Sequence, residues 1–124
     1  FGSTAPWLPI PAAHRSLSVA AQQDDAASTL GATRAFLAWR RTQSTLVAGD
    51  IEFLDAPASC LVFVRRQDGH SILVAFNLSD APASVPLADG SPAHGIDIPG
   101  FACAGRVQGG HLELPARGVF FGTV

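Results

Sequence analysis

The sequence predicts a mainly β protein: a small antiparallel β-sandwich with Greek-key links, preceded by a loop and one α-helix. Three observations carry that expectation. Hydrophobic residues make up 48% against 15% charged, and 12 Gly and 9 Pro break the apolar runs at short intervals, as short strands and tight turns require. Helical spacing of apolar residues occurs in one early segment, and from Gly49 onward the period changes to two. The 124 residues give room for one domain with a modest core, since independent domains run about 100–150 residues, and not for two.

Taken in order, residues 1–27 are rich in Pro, Ala and Ser, and Pro6, Pro9 and Pro11 block helix propagation, so this part reads as a long irregular loop. Residues 28–46 hold helix formers, including Leu30, Ala32, Ala35, Phe36, Leu37 and Trp39. Asp25 is the expected N-cap, with Ser28 supporting the first turn. At about 100° per residue, Leu30 and Leu37 lie on one side, and Ala32, Ala35, Phe36, Trp39 and Leu46 lie nearly opposite. A helix with two apolar stripes expects neighbours on two sides. An isolated chain is therefore expected to self-associate through the uncovered stripe or to hold residues 1–27 against it, with Phe36 and Trp39 on the β side.

Strands are expected at Ile51–Leu54, Ser59–Arg66, Ser71–Leu78, Ser84–Leu87, Gly95–Ile98, Ala102–Gln108, His111–Leu114 and Gly118–Val124. Pro86 lacks a backbone donor and makes its strand an edge. Asp68-Gly69 and Gly109-Gly110 suit hairpin turns that need positive φ. Cys60–Val64 and Ile72–Phe76 are apolar on both faces, which marks them as central strands covered on each side.

Charge and motif spacing exclude several function classes. The net charge is −2, and the eight basic residues are all Arg, clustered no further than Arg40-Arg41 and Arg65-Arg66, so nucleic acid is not an expected partner. No apolar run approaches the roughly 20 residues that span a bilayer, and Cys60 and Cys103 lack ligand spacing. They are expected to be free thiols of a soluble, cytoplasmic protein. His14, His70, His94 and His111 show no metal-binding spacing, so neither a metal nor another cofactor is expected. With no Met among its residues and Phe1 first, the sequence is expected to continue upstream.

Several motifs match a known family in order. Phe1-Gly2-Ser3-Thr4-Ala5-Pro6-Trp7-Leu8-Pro9-Ile10 is followed by His14-Arg15, then Val19, Gln22, Asp25 and Ser28. Next come Phe36-Leu37-Ala38-Trp39-Arg40-Arg41-Thr42-Gln43, Leu46, Gly49-Asp50-Ile51, Phe63-Val64-Arg65 and Phe76-Asn77-Leu78-Ser79. This series resembles the end of bacterial α-glucosidases and oligo-1,6-glucosidases of the α-amylase superfamily, with Ala26 standing where relatives usually carry Pro. The resemblance implies that residues 1–46 are the terminal loop and last helix of a (β/α)8 catalytic barrel, and residues 47–124 the C-terminal antiparallel β domain. It also implies a missing N-terminal catalytic barrel as partner, an α-glucoside substrate bound through the parent, and catalytic Asp, Glu and Asp residues that precede this segment.

No catalytic residue is therefore expected here. A retaining glycosidase needs two carboxylates about 5–5.5 Å apart across one bond. Asp24-Asp25 sits where helix capping explains it, and Asp50 with Glu52 fits a solvated strand edge. If the opening loop follows the last barrel strand, Phe1 and Trp7 are candidates for the rim of the sugar pocket, and Arg15 for pairing with a nearby carboxylate. The competing reading is a stand-alone carbohydrate-binding β-sandwich. Such modules present flat aromatic platforms, whereas this sequence has no Tyr, places both Trp before the β part, and puts most Phe of the β part in core phase.

Overall fold

The computed structural model describes residues 8–88 and 94–124. The opening is more regular than expected. A 3₁₀ helix at Ala12–Leu17 starts directly after Pro11, and a short helix α1 at Val19–Gln22 follows, with the Ser18 hydroxyl accepting the Ala21 N–H at 3.3 Å. Proline blocks the interior of a helix, not the turn that begins after it, which is why three prolines did not keep this stretch irregular.

Helix α2 runs over Thr29–Thr42, and its N-cap is Ser28, whose hydroxyl accepts the Gly31 N–H at 3.0 Å. Asp25 does not cap it: its Oδ1 accepts the Ala27 N–H at 2.9 Å in a local turn. The helix also stops before Leu46. Thr42 Oγ1 donates back to the Trp39 carbonyl at 2.7 Å, Gln43 turns extended, and a separate helix α3 forms at Ser44–Ala48. Hydroxyls that bond the backbone locally weaken helix propagation, and the Thr-Gln-Ser-Thr run supplies them. The break turns Leu46 inward, leaving it 6% exposed.

The eight expected strands form two antiparallel sheets. The larger has the order β1-β2-β3-β8-β5, built from β1 Asp50–Phe53, β2 Cys60–Gln67, β3 His70–Asn77, β8 Val119–Thr123 and β5 His94–Gly95. The smaller has the order β4-β7-β6, from β4 Ala83–Pro86, β7 His111–Leu114 and β6 Arg106–Gln108, so Pro86 does lie on an edge strand. After β3 the chain passes from sheet to sheet at β4, β5, β6 and β8. Asp68 and Gly69, with φ of 50° and 79°, close the β2–β3 hairpin, and Gly109 and Gly110, with 57° and 78°, close β6–β7.

Register divides the larger sheet into two apolar faces. Val62 pairs with Ala75 and Val64 with Leu73, and these residues point between the sheets with Val85, Leu112, Leu114 and Phe120. The alternate residues Ile72, Val74 and Phe121 face the helices and pack with Leu46, Phe36, Trp39, Phe63 and Phe76. The layers are thus helices, five-stranded sheet, three-stranded sheet. No helix among the described residues is long and apolar enough to cross a membrane.

Gly49 joins α3 to β1 in tight quarters: a Cβ there would lie 2.5 Å from the Thr45 carbonyl oxygen and 2.7 Å from that of Arg66. Both neighbours are backbone and cannot swing aside. Gly49→Ala should therefore lower unfolding stability by about 1–3 kcal/mol, the range for overpacking, as measured by urea denaturation. An unchanged midpoint would mean that the α3–β1 junction relaxes freely.

Candidate functional site: an uncovered apolar face beside a satisfied polar core

Glu52 pairs with Arg66 at 3.3 Å and Asp80 with Arg117 at 2.6 Å, both on the exposed surface. Glu113 accepts the Ser84 hydroxyl at 2.7 Å across the smaller sheet. These carboxylates are engaged in separate local contacts and converge on no common point. Among the described residues there is no group of three or more His, Cys, Asp or Glu able to hold a metal ion. Cys60 and Cys103 are free and half-buried, each packed against the core between the sheets.

Of the residues linked to substrate from the sequence, Phe1 and Trp7 lie outside the described residues. Arg15 sits exposed in the 3₁₀ helix and makes no ion pair among the described residues. The structure does not bring Arg15 to any carboxylate described.

Among the described residues the aromatic rings offer no stacked platform. Trp39 lies edge-on to Phe121, with ring centroids 6.3 Å apart, and Phe36 packs against Trp39 and Phe121 at 5.9 and 6.3 Å. Phe53 and Phe101 are exposed, but each meets another Phe edge-on and they lie on different elements. The exposure of Phe53 was not anticipated. It occurs because β1 is an edge strand and α3 stops at Ala48, before it could cover the helix-side face of β1.

What the structure does leave open is the outer side of α2. None of its residues is buried. Phe36 and Trp39 face the sheet as expected, and Leu37, on the opposite stripe, is 44% exposed. Leu30 is half-buried, because Leu17, Val19 and Gln22 from the preceding turns form with it a shallow concavity of about 300 Å³. Gln22 Oε1 also accepts the Leu30 N–H at 3.1 Å. Residues of the opening segment thus cover one end of the stripe, and their own apolar side chains, Leu17 at 68% and Val19 at 60%, stay in solvent.

One polar residue had no role assigned from sequence although its motif was noted. Asn77 is 3% exposed. Its Nδ2 donates to the carbonyls of Ala81 at 2.7 Å and Pro115 at 2.9 Å, and its Oδ1 accepts the Ser79 N–H at 3.0 Å and the Ser79 hydroxyl at 2.8 Å. It ties the end of β3 to the turn between β7 and β8. Burial could have been inferred from its place after an apolar strand, but its partners lie up to 38 residues away and had no local signal.

The comparisons with known proteins agree with one another. No protein-family model matches the sequence. A protein of Rhizobium meliloti (strain 1021) named "Probable alpha-glucosidase" is 37% identical over 122 residues, covering 98% of this chain and 21% of that protein. The crystal structure of the alpha-glucosyl transfer enzyme XgtA matches with a TM-score of 0.84 at 45% identity, over 95% of this chain and 22% of that one. The trehalulose synthase MutB from Pseudomonas mesoacidophila MX-45 shares the fold, with a TM-score of 0.72 at 22% identity, over 95% and 22% of the two chains. This chain spans about a fifth of the length of each.

Two predictions follow from these sites. Asn77→Ala removes all four hydrogen bonds of a buried side chain, each worth about 0.5–1.5 kcal/mol, so stability should fall by roughly 2–4 kcal/mol, and Asn77→Asp should not restore it because a carboxylate cannot donate to the carbonyls of Ala81 and Pro115. Chemical denaturation of both variants measures this. Leu37→Arg should change the stability of the isolated chain by no more than about 0.5 kcal/mol, as for other surface changes, while reducing concentration-dependent association in sedimentation velocity.

Proposed function

We propose, from the premise that this chain is similar throughout to the C-terminal region of α-glucosidases of the α-amylase superfamily, that it is the structural, non-catalytic end of a retaining glycoside hydrolase. The parent would act on terminal α-linked glucose of short oligosaccharides. The observation that carries this reading is the exposed Leu37 on the outer stripe of α2, in a chain that corresponds to a fifth of each relative.

In this reading residues 1–46 are the terminal loop and last helix of a (β/α)8 barrel, and residues 47–124 are the β domain that holds that helix. The Phe36–Trp39 side of α2 is fastened to the larger sheet by the aromatic cluster around Phe121, and the opposite side is left for the barrel. Burying Leu37 and the apolar side chains near it would give about 25 cal/mol for each Å² removed from water, enough for a few such side chains to align the two parts. Phe1, Trp7 and Arg15 belong to the loop that follows the last barrel strand, at the face where such barrels bind substrate. The nucleophile and the acid come from the part of the protein before this chain, which attacks and protonates the glycosidic bond in two displacements with retention.

Two experiments test this. The 124-residue chain should show no turnover of an aryl α-glucoside, because its sequence places the carboxylates at a helix start, on strand edges and in turns, and Glu52, Asp80 and Glu113 are each held by a different partner. Turnover that vanished on replacing Asp50 or Glu52 would place chemistry in the β part and defeat the reading. The coding sequence upstream of Phe1 should encode a barrel with an Asp nucleophile, a Glu acid and an Asn-His-Asp motif. Any other domain there would favour an independent carbohydrate-binding module.

A further inference from the structure

Where α2 breaks into α3 there is a second concavity, lined mainly by side chains that can form hydrogen bonds. Its volume is about 350 Å³, within the size range of ligand clefts, and it lies between the helix junction, the start of β3 and the end of β8. Ser44 and Thr45 line it from the helices, His70 and Ser71 from β3, and Thr123 from β8. Ile72 and Ile96 add apolar surface. No Asp, Glu or Arg is among the lining residues.

Some of these polar groups are already spent within the chain. Thr42 Oγ1 donates to the Trp39 carbonyl at 2.7 Å and accepts Gln43 Nε2 at 3.0 Å, and Ser71 Oγ accepts Arg66 Nη1 at 3.2 Å. Ser44, Thr45, His70 and Thr123 bring three hydroxyls and an imidazole to the same cleft with no side-chain hydrogen bond to the rest of the described residues. Thr45 is 5% exposed, a position where Val would fill the same space without a polar atom. Its hydroxyl is not sealed inside, as Arg65 Nε and Gln67 Oε1 are, but opens on the cleft. It keeps there a donor and an acceptor that the fold does not use.

The lining sets the class of ligand. An anion would need a cationic partner to offset its lost hydration, a cation would need a carboxylate, and neither lines the cleft. A purely apolar ligand would leave the free hydroxyls unpaired. A neutral ring with hydroxyls along its edge and C–H groups on its face suits both the hydroxyls and the two isoleucines. We propose that this cleft binds one uncharged sugar ring, with the Ser44, Thr45 and Thr123 hydroxyls and the His70 imidazole as hydrogen-bond partners, and Ile72 and Ile96 against its C–H face. The class follows from the lining, while glucose as the particular sugar rests on the reading of the chain as one end of an α-glucosidase. The site performs no chemistry, and it holds the ring by hydrogen bonds where a binding module would use an aromatic platform.

In the test, methyl α-glucoside is titrated into the 124-residue chain while the ring protons of His70 are followed by NMR. They should shift saturably, with a dissociation constant of about 1–10 mM, as a few net hydrogen bonds allow. Thr45→Val keeps the shape and removes the hydroxyl, so binding should weaken by about five- to tenfold with no loss of stability. Thr123→Val, at an exposed position, should weaken it similarly and serves if the first variant fails to fold. His70 signals that stay unchanged at about 100 mM glucoside overturn the site, as does equal affinity in the variants and the unmodified chain. Tighter binding of inorganic phosphate than of the glucoside also overturns it, since the cleft would then be an anion site. An upstream sequence without a barrel would sink the reading of the parent and leave the titration untouched, whereas a barrel beside silent His70 signals would sink only the sugar site.

Discussion

The structure depends on the β2–β3 pairing. Both strands are apolar on both faces, so the sheet they centre cannot be stable with either face in water. One face is closed by the three-stranded sheet, through Val62, Val64, Leu73 and Ala75 against Val85, Leu112 and Leu114. The other is closed by α2 and α3, through Ile72, Val74 and Phe121 against Phe36, Trp39 and Leu46. The helix is therefore part of the β fold in energetic terms, whatever larger unit it also serves. Trp39 and Phe36 are the residues that make it so.

That constraint explains why α2 is incompletely covered. A single helix laid on a sheet buries one stripe, and nothing among the described residues packs fully over the other. The turns from Ala12 to Gln22 shelter Leu30 and stop short of Leu37. On the far side, α3 is too short to reach across β1, so Ile51 and Phe53 stay in solvent although their phase along the strand is that of core residues. Both exposures follow from element lengths set by local chemistry: Ser28 starts α2, the hydroxyl-rich Thr42–Thr45 run ends it, and Gly49 forces the turn into β1.

Much of this was legible in the sequence where the signal is local and periodic. Six of the eight strands lie within a residue of where two-residue alternation placed them, β6 keeps only the Arg106–Gln108 end of the expected Ala102–Gln108, both Gly-containing hairpins have positive φ as their residues require, and the two faces of α2 point as their spacing predicted. What was not legible depends on competition or on distance. Asp25 and Ser28 are both good caps, and the choice fell to Ser28 because its hydroxyl reaches Gly31 while Asp25 is taken up by Ala27. The strand expected at Gly95–Ile98 shrank to His94–Gly95, since only the start of that segment finds a ladder partner, at Thr123 and Gly122. Asn77 bonds across 38 positions, and the burial of Arg65 Nε without a hydrogen-bond partner among the described residues has no trace in any spacing rule.

The candidate site follows the same division. The sequence told against chemistry in this chain, because the carboxylates it offers stand at a helix start, on strand edges and in turns, where solvation and capping account for them. In the structure Glu52, Asp80 and Glu113 are each held by a different partner. Function in such a chain has to be read from surfaces rather than from reactive groups. A self-sufficient domain would be expected to turn polar residues toward solvent at Leu37, Ile51 and Phe53. Here a strongly satisfied centre, with Asn77 making four hydrogen bonds, stands beside two unfinished flanks. Both flanks border α2, one along its outer stripe and one past its C-terminal end. A body that covered them together would have to wrap around that helix, and a barrel of which α2 is the last helix would meet this requirement by its connectivity alone.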